Sequence, residues 1–219
     1  MFKGKEFMIM KKIFSFVMAI ALILSLAACG QTSNNQNTLV SSDSSENLQN
    51  IPNTNHLDTS ESKILVAYFS WSGNTEDMAA YIAEQTGGDL LEIQPSTPYP
   101  TDYNECGELA LTERDNNERP EISNLPESIE EYDIIMIGYP IWWHTAPMII
   151  GSFLESYDLS GKEIYPFTQS ASMDTEQFDN SITFVKESAA GAVIHDGLFA
   201  RPSNTDTIDA YLQTNALVG

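Results

Sequence analysis

Three groups of polar and aromatic residues each follow a short apolar run and hold the residue types best suited to ligand binding. The first group is Ser70, Trp71, Ser72, Gly73, Asn74 and Thr75; the second lies within 138–147 and the third within 168–173. The runs before them have the length and composition of strands buried on both faces of a parallel sheet. Ligands bind beyond the carboxyl ends of such strands, so we expect the three groups to form one site.

The first group has the chemistry of a phosphate-binding loop. The hydroxyls of Ser70, Ser72 and Thr75, the Asn74 amide and the free N–H groups of a helix start would surround a phosphate, and Gly73 lets the backbone come close. The segment lacks both the Gly-Lys-Ser/Thr of a nucleoside triphosphate loop and the three-glycine dinucleotide motif, which indicates a phosphate monoester. The same residue types also serve an ordinary tight turn with a helix cap.

The second group is an aromatic segment between two prolines. Its adjacent tryptophans, Trp142 and Trp143, predict a stiff surface that stacks on a flat heterocycle, although one of them could instead fill the core. His144 could donate a proton beside such a ring, but a lone histidine is more often a packing or surface residue. The candidate ligand-binding residues here are Pro140, Ile141, Trp142, Trp143 and His144.

The third group offers polar atoms to the edge of a ligand. Its candidate residues are Thr168, Gln169, Ser170, Ala171 and Ser172.

Strand-like and helix-like segments alternate through the second half of the chain. Apolar runs predict strands at 63–69, 89–93, 133–138 and 163–168, with a weaker fifth at 192–195. Apolar stripes at helical spacing lie between them, which predicts an open, parallel, doubly wound sheet with right-handed crossovers. Cys106 shares one such stripe with Tyr103, Leu109 and Ala110, so we expect it to be a packing residue.

The N-terminus carries a targeting signal. Lys11 and Lys12 precede the apolar run 13–24, which is too short for a comfortable transmembrane helix and predicts a signal peptide over 1–28. The end of this segment, Leu26-Ala27-Ala28-Cys29, resembles the lipobox of bacterial lipoproteins, in which the cysteine becomes lipid-modified. An ordinary secretory signal with an incidental cysteine is the alternative. We expect Cys29 to anchor the protein to the extracytoplasmic face of the cell membrane.

Residues 29–62 consist of the predicted lipidated cysteine and a polar segment. This segment is rich in Ser, Asn, Gln and Thr without an apolar period, which predicts a disordered tether. Residues 63–219 then form one globular domain. With Cys29 lipidated, Cys106 is the one remaining thiol, so an intramolecular disulfide is excluded.

The three groups in this order, with Pro-x-Trp-Trp in the second, resemble the flavodoxin family. The likeness extends to 98–103 and 153–162 and covers nearly all of 63–219. It implies a flavodoxin-like open parallel sheet of five strands in the order 2-1-3-4-5, with helices on both faces. It also implies FMN as the cofactor, with the phosphate on the first group and the ring near Trp142, Trp143 and the third group.

The resemblance further implies a redox protein that transfers electrons. Two alternatives remain open: an FMN-dependent reductase that uses NAD(P)H and a quinone-like or other small oxidant, and a lipoprotein that keeps the fold without catalysis. The third group departs from the family because Ala171 and Met173 stand where relatives usually have glycine. Weak flavin binding would follow if the backbone there needs a conformation that favours glycine.

The charge excludes one class of partner. The formal net charge is −21, and the chain after residue 28 holds six basic and 30 acidic residues, a formal charge of −24. Nucleic acid is therefore excluded, because its phosphates attract Lys and Arg. A basic redox partner is compatible with this charge, which also keeps a domain soluble whatever its partners.

Overall fold

The computed structural model describes residues 62–218, which form a parallel sheet with helices on both faces. The predicted signal peptide, Cys29 and the predicted tether up to residue 61 lie outside the described residues. Within 62–218, no helix has the length and apolar character that a membrane crossing requires.

Strands and helices alternate along the described chain. The elements are β1 (Ile64–Tyr68), α1 (Asn74–Thr86), β2 (Asp89–Glu92), α2 (Tyr103–Asp115), β3 (Ile134–Pro140), α3 (Met148–Leu154), β4 (Glu163–Gln169), α4 (Thr175–Ser188), β5 (Val193–Ile194), β6 (Leu198–Phe199) and α5 (Thr205–Thr214). The sheet order is β2-β1-β3-β4-β5, and every pair is parallel. This confirms the predicted fold and strand order.

The fifth position of the sheet differs from the prediction of a single strand over 192–195. Two short pieces occupy it: β5 pairs with the start of β4, and β6 pairs with its end. Gly197 lies between the pieces, where an added Cβ would approach Ile182 Cδ1 on α4 to 2.7 Å. A two-residue strand is too short to show a period, so the sequence pattern missed β6.

The two faces of the sheet bury separate cores. Val66 and Met136 point to the side covered by α1 and α5, whereas Ile135 and Ile137 point to the side covered by α3 and α4. All four side chains are fully buried. Each contributes about 1.5–3 kcal/mol by leaving water, so both layers of helices are held by the central strands.

Helix α2 buries a narrower stripe than the sequence predicted. Cys106 and Ala110 are buried, which agrees with a packing role for the thiol. Tyr103 is 77 % exposed and Leu109 is 37 % exposed, so the predicted stripe does not include them. Glu113 takes the next buried position instead, which leaves a carboxyl group inside the protein.

Strands β3 and β4 run further than predicted, and this changes the position of two candidate residues. Tyr139 pairs with Thr168, and Pro140 pairs with Gln169. Pro140 and Gln169 therefore lie in strands rather than in loops, whereas Thr168 lies in β4 as the predicted strand 163–168 implied. Thr168 is fully buried, and its hydroxyl donates to the Tyr139 carbonyl.

Left-handed backbone is concentrated in the loops that follow these strands. Five described residues other than glycine have positive φ: Asn117, Trp143, His144, Met173 and Ala216. Met173 has φ of 52°, and its N–H donates to Ser170 Oγ at 3.0 Å. Ala171 has no positive φ, so the expected need for glycine holds at Met173 alone.

This difference predicts opposite effects of glycine at the two positions. A residue with a side chain loses about 1–2 kcal/mol of stability in a left-handed conformation, a cost that glycine avoids. Part of glycine's advantage is lost again because glycine makes the unfolded chain more flexible. Met173→Gly should therefore be more stable than Met173→Ala by roughly 0.5–1 kcal/mol in urea unfolding, since both variants remove the same side-chain contacts.

The control is Ala171→Gly. This variant should be less stable than the unmodified protein, because glycine relieves no strain at Ala171 and increases the flexibility of the unfolded chain. Equal stability of the two Met173 variants would show that the backbone at Met173 is unstrained.

Candidate functional site

A cavity of about 520 Å³ lies where β1, β3 and β4 end, and all three predicted groups contribute to its lining. This volume is within the range of small-molecule and cofactor sites. The predicted residues that line it are Trp71, Ile141, Trp142, Trp143, His144, Ser170, Ala171 and Ser172.

The other candidates lie outside this lining. Ser70, Ser72 and Gly73 lie in the loop that leads into α1, and Asn74 and Thr75 begin the helix. Pro140, Thr168 and Gln169 lie in the strands that lead to the cavity. The predicted site therefore has two parts, a cavity and a separate loop at a helix start.

The loop at the start of α1 is shaped by Gly73, which has φ of 86°. Its N–H donates to Ser70 Oγ at 3.2 Å, and its carbonyl accepts from Asp77 N–H at 2.9 Å. Asn74 Nδ2 donates to Ser72 Oγ at 3.0 Å. An added Cβ at Gly73 would meet no atom within 4 Å, so the loop faces open space.

The start of α1 lacks the side-chain cap that the starts of two other helices have. Asp102 accepts from Asn104 N–H at the start of α2, and Asp174 accepts from Gln177 N–H at the start of α4. At α1 no side chain takes this part, so the N–H groups of its first turn remain available to a ligand. Thr75, in this turn, is 1 % exposed. The arrangement fits an anionic group at the loop.

Trp142 is fixed to the core on one side and lines the cavity on the other. Its ring meets Phe69 and Tyr99 edge-on, with centroid distances of 5.3 and 5.1 Å. Aromatic pairs in this geometry are mutually attractive. The contacts therefore hold the indole as a rigid cavity wall.

Trp143 points outward from a tight turn. Trp142 and Thr145 exchange two backbone hydrogen bonds of 3.0 Å, and both residues between them have positive φ, 47° at Trp143 and 67° at His144. Such turns usually contain Asn-Gly, so Trp-His is strained there. Trp143 Nε1 donates to the Gly107 carbonyl at 2.7 Å, and this bond ties the turn to α2.

Trp71 forms another aromatic part of the wall. Its Nε1 donates to the Pro100 carbonyl at 2.9 Å, and its ring lies 6.3 Å from that of Tyr103 between centroids. The segment between β2 and α2 therefore positions the tryptophan of the first group.

Helix α2 provides a wall that sequence reasoning missed. Its lining residues are Tyr103, Asn104, Cys106, Gly107, Glu108 and Ala110, and Gln177 of α4 joins them. One signal was present in the sequence: Gly107 stands inside a helix, at a cost of about 1 kcal/mol relative to alanine. An added Cβ there would meet no atom within 4 Å, so this glycine leaves space open.

The cavity lining suits an uncharged aromatic ring. Glu108 is its one carboxylate, His144 its one imidazole, and the lining contains no Lys or Arg. Two arginines instead reach backbone carbonyls of the lining: Arg114 donates to Trp143 O at 3.0 Å and Arg201 to Ala171 O at 3.1 Å. In the part of the chain that the structure describes, no group of three His, Cys, Asp or Glu side chains could hold a metal ion.

A buried carboxyl lies behind the Trp142 wall. Glu113 is 6 % exposed and its Oε2 accepts from the Tyr99 hydroxyl at 2.8 Å. Burial raises the pKa of Glu113, although the Tyr99 hydrogen bond opposes this shift. Burial also raises the pKa of the Tyr99 hydroxyl, which therefore stays protonated and acts as the donor.

Comparison with known proteins gives consistent matches. A flavoprotein from Bacteroides eggerthii has 36 % sequence identity to this chain. The match covers 71 % of this chain and 98 % of the Bacteroides eggerthii chain, and the two structures have a TM-score of 0.64. One from Bacteroides uniformis is 33 % identical, with coverage of 69 % and 98 % and a TM-score of 0.63. A Lactobacillus acidophilus flavoprotein in complex with FMN is 28 % identical, with coverage of 66 % and 97 % and a TM-score of 0.57.

No protein of curated function matches the chain. The family description "Flavodoxin" matches residues 63–215, which is well over half of the sequence. Together with the sheet order and the convergence of the three strand-end loops, this match shows that the chain belongs to the flavodoxin family.

Proposed function

We propose that this chain binds FMN at the two-part site and functions in electron transfer. The observation that carries the proposal is the convergence of three strand-end loops on an aromatic cavity next to an uncapped helix start. FMN has the same two parts, a flat ring system and a phosphate. A relative of known structure was solved in complex with FMN.

The cavity would take the ring system of FMN. Trp71, Trp142 and Trp143 offer aromatic surfaces for stacking and exclude water, and Ser170, Ala171 and Ser172 line the same cavity. Bound FMN supplies the electron chemistry, whereas the protein orients the ring and tunes it. The His144 imidazole lines the same cavity and can hold a proton there.

The loop 70–75 would take the phosphate. Its donors are neutral: backbone N–H groups of the first turn of α1, hydroxyls, and the Asn74 amide. None of the six basic residues among the described residues lies in this loop. The phosphate charge is therefore stabilised by hydrogen bonds and the helix dipole.

The visible spectrum of the purified protein tests the proposal directly. We expect flavin absorbance in the protein as isolated or after addition of FMN, with flavin fluorescence changing up to one equivalent. A folded protein that takes up no FMN would contradict the proposal and favour a role without catalysis.

Electron transfer is distinguished from reductase activity by steady-state NAD(P)H oxidation with and without a quinone. An electron carrier should oxidise NAD(P)H only slowly, whether or not the quinone is present. Rapid NAD(P)H oxidation that depends on the quinone would instead identify a reductase.

Replacement of one hydroxyl tests the phosphate loop. Thr75→Val keeps the buried shape and removes the donor, and a hydrogen bond to a charged group is worth about 1.5–3 kcal/mol. The affinity for FMN should fall by roughly tenfold or more, because 1.4 kcal/mol corresponds to a factor of ten. Fluorescence titration measures this change.

Riboflavin serves as the control ligand, because it lacks the phosphate. Its affinity should be nearly the same for Thr75→Val and the unmodified protein. Equal losses for both ligands would place the phosphate elsewhere.

We further propose that the domain is held on the extracytoplasmic face of the cell membrane by lipid on Cys29. Cys29→Ser removes the thiol of the lipobox-like segment. Lipid labelling should then disappear, and the protein should move from the membrane fraction to the soluble fraction. Membrane association of the unlabelled variant would refute lipid anchoring.

A further inference from the structure

Glu113 on α2 is a buried carboxyl group without a cation. It is 6 % exposed, and among residues 62–218 no Lys, Arg or His nitrogen lies within 4.0 Å of its oxygens. Its side-chain partner is the Tyr99 hydroxyl, at 2.8 Å. Burial of an unpaired charge costs free energy, and an apolar side chain would fill this place at lower cost. A role in packing therefore does not explain the carboxyl group.

Its position connects it to the flavin cavity. A second cavity of about 10 Å³, close to the size of one water, is bordered by Glu113, Arg114, Trp142 and Thr145. Trp142 and Ala110 border both this small cavity and the large one. The Tyr99 ring, which carries the hydroxyl bonded to Glu113, meets Trp142 edge-on. The Trp142 indole and Ala110 thus lie between the carboxyl group and the flavin cavity.

Few other charges face Glu113. The remaining residues of the small cavity are uncharged: Ala110 of α2, and Trp142, Thr145, Ala146, Pro147 and Met148 of the second loop and the start of α3. Its titratable neighbours are Tyr99, Cys106, Arg114 and Glu118. Arg114 directs its guanidinium to Asp115 and to the Trp143 carbonyl. Burial raises the pKa of Glu113, and the charge of Glu118 adds to this shift.

We propose that Glu113 is the proton-binding residue of this flavin site, taking up a proton when negative charge enters the cavity on the other side of Trp142. The inference rests on the proposed function. The electrons come from the redox partner that function requires, and the proton comes from solvent to a carboxylate oxygen of Glu113. Because Trp142 stands between, Glu113 is a positioning residue, not a catalytic one.

The physical basis is the weak screening of charges in the protein interior. Negative charge in the cavity raises the pKa of a nearby buried carboxyl group. By linkage, a proton on that group must favour reduction to the same extent. The reduction potential should therefore rise as the pH falls, between the Glu113 pKa values of the oxidised and reduced forms.

The apoprotein allows a first test through Glu113→Gln. Glutamine keeps the shape and still accepts from Tyr99, but it has no charge. A carboxyl whose pKa is raised by folding destabilises the protein increasingly as pH rises through the folded-state value. The urea midpoint of the variant should match the unmodified protein around pH 4 and exceed it around pH 8.

The control is Glu187→Gln, which removes an exposed carboxyl group on α4. Its urea midpoint should show no comparable pH-dependent gain. If the profiles of Glu113→Gln and the unmodified protein are parallel across the range, Glu113 does not titrate with a raised pKa, and the inference is wrong.

The FMN-loaded protein provides the second test. The reduction potential, measured by equilibration with dyes, should depend less on pH in Glu113→Gln than in the unmodified protein and in Glu187→Gln. Tyr99→Phe keeps the ring contact with Trp142 but removes a hydrogen bond that lowers the pKa of Glu113. The pH range over which the reduction potential changes should therefore move to higher pH in Tyr99→Phe.

If Glu113 has only a structural role, the reduction potential of Glu113→Gln should differ from that of the unmodified protein by the same amount at every pH. That result would overturn the inference and leave the proposed function intact. Failure of the unmodified protein to bind FMN overturns the proposed function and the inference together. The two failures are thus distinguishable in one set of samples.

Discussion

The pairing of β3 with β4 is the constraint on which the site depends. All seven residues of β3 pair with β4, and the Ile141 N–H to Gln169 carbonyl bond of 3.1 Å extends the pairing into the loops. Gly138 makes room for the ring of Phe167, its partner in β4, because an added Cβ there would lie 2.2 Å from that ring. The two loops therefore leave the sheet side by side, and both reach the same cavity.

The loops of the site contain strained backbone conformations, which contacts from neighbouring residues stabilise. Three of the five described non-glycine residues with positive φ, Trp143, His144 and Met173, lie in these two loops. Each such conformation costs energy and persists where neighbouring contacts determine it. The tight turn is held by Gly107 and Arg114 of α2, and Ser170 closes the turn at Met173. Helix α2 is thus part of the site as a wall and as a support.

The electrostatics of the site differ from those of the chain around it. The chain carries a formal charge of −21, yet its proposed ligand is an anion. Neutral donors at an uncapped helix start make this possible without a cation. The arginines near the cavity act on backbone carbonyls, which leaves the lining close to uncharged. The carboxyl group of Glu113 is instead buried, behind Trp142.

The sequence by itself determined the parallel sheet, the order of its elements and the three segments that follow its strands, because buried strands and amphipathic helices have distinct apolar periods. Only the tertiary structure decided that Thr168 is buried, that two short pieces share the edge next to β4, and that α2 forms a cavity wall. It also decided that left-handed backbone falls at Met173 and not at Ala171. The apolar period of a segment identifies which face of a helix or strand is apolar. It does not identify the element on which that face packs or the backbone angle of a single loop residue, because both depend on contacts between residues distant in sequence.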